Sequence, residues 1–205
     1  PAHQSGGEPV FREIDAILAE LSKITGLEPQ KPVLRDVIGR DQVKRFLEDR
    51  IKEEVKPEEL RAEELTLRKF GFVPADFDLA KTTVELLTEQ AAAFYDFRKK
   101  RLYLLDSSSS SMQEVALAHE LAHALADQHF NLARFIERAG KSDDGAMARL
   151  AVMEGQATWL MSEYMARKIG MSLTKSPAIA QLMSQQTAAV TGQFPVFDSA
   201  PLYLR

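Results

Sequence analysis

Cysteine is absent from these 205 residues. That excludes a disulfide-stapled scaffold and any thiolate metal site, so a metal here must be held by histidine and carboxylate. No apolar run approaches the roughly 20 residues that cross a bilayer, and no basic-then-apolar signal peptide stands at the start. An excess of one charge is also lacking: 26 basic against 30 acidic residues leave a net charge of -4. Such a balance offers no broad attraction for nucleic acid or anionic lipid, so neither is an expected partner. There is no internal repeat. The first residue is Pro1 rather than Met, from which we expect a removed upstream segment that had room for a secretory signal. The expected location is therefore exported, periplasmic or extracellular, with the cytoplasm as the alternative.

What is present is enough for one sizeable core, at 45% apolar residues. Residues 1–8 read as a disordered lead. An amphipathic helix over about 10–24 carries Ile14, Ile17, Leu18 and Leu21 on one face. A short strand at Val33–Ile38, a charged helix from Asp41 and a helix from Pro57 to Phe70, closed by Gly71, complete an N-terminal helical region over 9–78. Residues 79–205 carry the chemistry. They hold a helix over Ala80–Gln90, a hairpin from Ala92–Tyr95 and Arg101–Leu105, a helix from Met112, a short helix ending at Gly140, and a long helix over Ala146–Ile169. A further helix is expected at 178–190, with an irregular tail. The fold class is α+β, mostly helical, with a small antiparallel sheet, in one compact domain.

The segment His119-Glu-Leu-Ala-His123 decides the chemistry. Residues four apart on a helix lie about 40° apart around the axis and about 6 Å along it, so both imidazoles point into one space. Glu120, about 100° round, reaches a metal-bound water rather than the metal. Zinc (Zn2+) is the expected cofactor and Glu120 the expected general base. The alternative is a chance pattern, but Val115, Ala116, Leu117, Ala118, Leu121, Ala122, Ala124 and Leu125 make the helix apolar nearly all round. Two histidines and a glutamate inside such a helix need partners, because polar groups buried unpaired cost several kcal/mol.

Two residues compete for the third ligand position. His129 lies ten residues after His119, but on an unbroken helix that is about 15 Å of rise, and Ala126 stands where a helix-breaking glycine would be needed. Glu154 is favoured, because it falls within the apolar stripe of Leu150, Met153, Ala157, Leu160, Met161 and Tyr164. Its ordinary alternative is a boundary acid paired with Arg149 or Arg134.

The segments Thr88-Glu-Gln-Ala-Ala-Ala-Phe-Tyr-Asp96, Arg101-Leu-Tyr-Leu-Leu105, Ala118-His-Glu-Leu-Ala-His-Ala-Leu-Ala-Asp-Gln-His-Phe130 and Val152-Met-Glu-Gly-Gln-Ala157 resemble the gluzincin group of zinc metallopeptidases, and within it an uncharacterised bacterial family. The resemblance implies a zincin-like fold with an active-site helix and a second ligand-bearing helix. It makes His119, His123 and Glu154 the zinc ligands, Glu120 the base, and a peptide or protein the substrate. Familiar members often carry an aspartate four residues after the ligand glutamate, where this chain has Thr158. Asp127 is a candidate to replace it by accepting an imidazole N–H. Tyr103, Tyr164 and Tyr203 are candidates for stabilising an oxyanion. Glu89 and Gln90 fit the family pattern without an assigned role.

In peptidases of this kind an edge strand pairs with the substrate backbone, which makes Leu102, Tyr103 and Leu104 candidates for that duty, against an ordinary core strand. Arg98-Lys-Lys-Arg101 reads as a solvated turn, and Trp159 and the phenylalanines as core. The rival functions are a non-catalytic zinc-binding scaffold and hydrolysis of a non-peptide amide. Nothing in the sequence bears on oligomeric state.

Overall fold

The computed structural model describes residues 8–106, 110–140, 142–176, 178, 181 and 194–204. Residues 1–7 of the expected lead and most of the expected helix at 178–190 lie outside them. The fold is mostly helical with a small mixed sheet, as an α+β chain should be. Among the described residues, no helix is long and apolar enough to cross a membrane.

Two compact units divide the chain, one from Pro1–Val37 with Ala92–Gln185, the other from Ile38–Ala91 with Gln186–Arg205. This corrects the expected boundary at 78/79. The cause is the first helix, α1 (Glu8–Thr25), whose Ile14, Ile17, Leu18 and Leu21 enter the core built by the second half of the chain. Sequence neighbours therefore part company, because burial of one apolar stripe outweighs chain proximity.

In the first unit the strands are β1 (Leu34–Ile38), β2 (Ala93–Asp96) and β3 (Arg101–Leu105), ordered β1-β3-β2. The expected hairpin is there: β2 and β3 pair antiparallel, Phe94 opposite Tyr103 and Tyr95 opposite Leu102. Asp96 begins its turn by accepting the backbone N–H groups of Arg98 and Lys99 at 2.9 and 3.0 Å. Arg101 pairs with Asp36 at 2.8 Å, so part of the basic run holds β1 rather than lying free in solvent. The addition of β1 makes the sheet mixed rather than purely antiparallel. It also places β3 in the middle. Leu102, Tyr103 and Leu104 are thus not on an edge and cannot offer their backbone to a substrate strand, because neighbours on both sides use it.

Three more helices of this unit lie among the described residues. The central one, α5 (Ser110–Phe130), packs on α1 and β2, and its Leu117, Ala118, Leu121, Ala122 and Leu125 are buried. The short α6 (Leu132–Glu137) follows Asn131, whose φ of 52° turns the chain and whose side chain accepts the Arg134 N–H. The long α7 (Asp143–Lys168) begins earlier than expected, since Ser142 caps it by accepting the Gly145 N–H and Asp143 and Asp144 favour the positive end of the helix dipole. It buries Met153, Ala157, Leu160 and Tyr164 against α5. Trp159 is exposed, as are Phe70, Phe72 and Phe130, so the reading of these aromatics as core is corrected. Trp159 lies about 200° around the axis from Ala157, away from the stripe that packs on α5.

The second unit contains α2 (Arg40–Glu54), α3 (Pro57–Lys69), α4 (Leu79–Gln90) and a short α8 (Pro195–Ser199), followed by a 3-10 turn at Leu202–Leu204. Leu67, Val73, Phe77 and Leu79 form its core. Gly71 takes a φ of 74° to end α3, a conformation costly for any residue with a Cβ. Glu89, which had no role in the sequence reading, accepts the N–H groups of Val196 and Phe197, both at 2.9 Å, at the start of α8.

Candidate metal centre

Two neighbouring helices bring three donor side chains to one point. On α5 the four-residue spacing sets His119 and His123 one turn apart, with Nε2 atoms 3.1 Å from each other. From α7, Glu154 places Oε2 3.1 Å from His119 Nε2 and 3.5 Å from His123 Nε2. These three residues form the one group among the described residues whose donor atoms are gathered as metal ligands would be.

The triangle fits a metal. Zinc–nitrogen and zinc–oxygen bonds of about 2.0–2.1 Å at tetrahedral angles put ligand atoms about 3.3 Å apart, within the spread seen here. Two imidazole nitrogens and a carboxylate oxygen converging on one centre are also a borderline-to-hard donor set suited to zinc. A zinc held by these three donors alone would keep a fourth position open.

Electrostatics follow the same convergence. Burial disfavours charge on His119, yet the hydrogen bond it donates to Glu154 and the fields of Glu120 and Glu154 raise its pKa overall. Hydrogen bonds with His119 and then His123 hold the Glu154 carboxyl far below its ordinary range. Glu120 goes the other way: desolvation dominates and raises its pKa against the pull of both imidazoles. Its Oε2 accepts the Tyr95 backbone N–H at 2.7 Å. Glu120 thus stands beside the triangle without being a corner of it.

The other sequence candidates go elsewhere. His129 accompanies α5 to its end, where its ring nitrogens meet the Glu28 carbonyl at 2.8 Å and Gln30 Nε2 at 3.3 Å. It lies outside the triangle, at the far end of a helix that continues unbroken past Ala126. Asp127 is corrected. It is buried and accepts from the Tyr95 hydroxyl, the Lys100 ammonium and the Leu132 N–H, none of them an imidazole. Arg149 does not pair with Glu154; it donates to the Phe135 carbonyl at 3.1 Å and covers that ring. The Tyr164 hydroxyl is spent on Glu114 at 2.8 Å, and Tyr203 belongs to the second unit, stacked on Phe72. Sequence reasoning missed Tyr95 and Lys100, since nothing local marks a strand residue or a turn lysine as a partner of α5.

No protein-family model, curated protein or solved structure matches this chain.

Proposed function

We propose that this chain is a zinc-dependent peptidase of zincin-like fold. The observation that carries the proposal is the His119–His123–Glu154 triangle, of tetrahedral dimensions, with Glu120 beside it. When bound, zinc supplies a Lewis acid and lowers the pKa of its water from about 15.7 to about 7. His119, His123 and Glu154 hold the ion. Glu120 takes the proton of the attacking water and hands it to the departing amine. With β3 enclosed, an extended substrate would have to pair with one of the outer strands, β1 or β2.

The face of α7 beside Glu154 supports a peptide rather than a polyanion. Met147, Ala151, Gly155 and Thr158 on its exposed side carry no charge, and Asp143 and Asp144 at its start are acidic. At Gly155 a Cβ would meet nothing, so open space borders the ligand carboxylate. Apolar peptides are the expected substrates, acidic ones the poorest.

Metal analysis and peptide-library cleavage on the wild type and Glu120→Gln test the reading. It expects zinc in both proteins and turnover in the wild type alone. Zinc in both with turnover in neither would favour a non-catalytic zinc-binding scaffold, and cleavage confined to non-peptide amides would move the substrate class.

A further inference from the structure

Asp127 has a side chain only 1% exposed, and three elements send donors to it. The Tyr95 hydroxyl on β2 donates at 2.8 Å, the Lys100 ammonium at the hairpin turn at 2.7 Å, and the Leu132 N–H at the start of α6 at 2.8 Å. Burial and the adjoining carboxylate push the Tyr95 phenol well above its ordinary pKa, so it stays a donor. Lys100 holds a φ of 53°, a left-handed conformation that side chains with a Cβ seldom adopt, while its ammonium is drawn in to Asp127.

Tyr95 also grips α5 a second time. Ala92 accepts from Leu105, so alternation along an antiparallel pair turns the backbone groups of residues 92, 94 and 96 toward β3 and those of 93 and 95 away. The outward Tyr95 N–H is the group that meets Glu120, two helical turns before Asp127. One residue therefore touches α5 at both carboxylates.

We propose that Asp127, Tyr95 and Lys100 form a latch that positions Glu120: the latch holds β2 along α5, so that the Tyr95 N–H fixes one carboxylate oxygen and leaves the other to take a proton. All three are positioning residues, and their bearing on catalysis rests on Glu120 being the base. A purely structural role for Asp127, capping α6 through Leu132, would not single out the amide of residue 95.

The test uses the full zinc-loaded chain and reads amide hydrogen exchange at residues 95 and 94, zinc content, and steady-state kinetics. In Tyr95→Phe and Asp127→Asn, exchange at residue 95 should accelerate at least about tenfold, the scale of a lost hydrogen bond to an ionised group. Exchange at residue 94, inside the β2–β3 ladder, should stay as in the wild type. In both variants kcat should fall about 10- to 100-fold with KM and zinc content unchanged. Should Asp127→Asn fail to fold, Tyr95→Phe and Lys100→Met carry the measurement. Unchanged exchange at residue 95, or equal acceleration at 94 and 95, would overturn the latch. So would accelerated exchange with unchanged kcat. The selective exchange effect in a wild type that cleaves no peptide would support the latch while removing Glu120's catalytic role.

Discussion

On α5, Leu117, Ala118, Leu121 and Ala124 are all 0% exposed, whereas on the first half of α7 Met147 and Val152 are 69% and 63% exposed. Both helices supply donors to the same triangle. The first does so from inside a shell of aliphatic side chains, the second from the rim of its only buried stripe. The contrast shows how one site combines rigidity with access: α5 fixes two imidazoles by packing, while α7 contributes Glu154 from a face left open beside it. The second half of α7 resembles α5 again, since Glu163 there is 0% exposed.

Alanine at His123, on the enclosed helix, should have the largest effect, abolishing stoichiometric zinc after dialysis and any turnover with it. Glu154→Gln, which keeps an oxygen donor on the open helix, should weaken zinc less in the same titration; equal loss would break the contrast. Next comes packing. Leu121→Ala should cost about 2–5 kcal/mol in denaturant unfolding, because it empties a site enclosed on every side.

Glu163→Gln should cost about 1–3 kcal/mol at neutral pH, since the carboxylate accepts from Arg167, Ser172 and the Leu173 N–H. Burial alone would raise its pKa, but those donors lower it below the ordinary glutamate range. A depressed carboxyl stabilises the fold above its unfolded pKa and loses that contribution as pH falls through the folded value. Wild-type stability should therefore drop below about pH 4.5 more steeply than that of Glu163→Gln, as unfolding curves across the acid range will show. The smallest effect is expected at Val152→Ala, within about 0.5 kcal/mol of the wild type. A cost near that of Leu121→Ala would mean that something covers the open face of α7.

Much of the site could be read from local spacing, because a helix converts sequence separation into direction. The two histidines, the base between them and the exclusion of His129 all follow from α5 running straight through Ala126. Glu154 followed from helical period too, although Leu150, counted in the same stripe, is 39% exposed, so the glutamate sits at the stripe's border rather than its middle. The early start of α7 was also local in cause, written in Ser142 and the two aspartates after it. Burial of Trp159 was misread because apolar identity does not say which face of a helix has a neighbour.

By itself the sequence determined α1 to α7, the hairpin and the placing of His119 and His123 on one helix face, all interactions within a turn or a tight loop. Only the tertiary structure decided that β1 would enclose β3, that α1 would join the second half of the chain, and that Asp127 would meet Tyr95 and Lys100 instead of an imidazole. Those outcomes depend on partners 27 to 65 residues apart or more, and long-range pairing is set by which buried surfaces fit together once local structure exists. The HExxH segment announced its donors; the packing of α7 and β2 against α5 chose the company they keep.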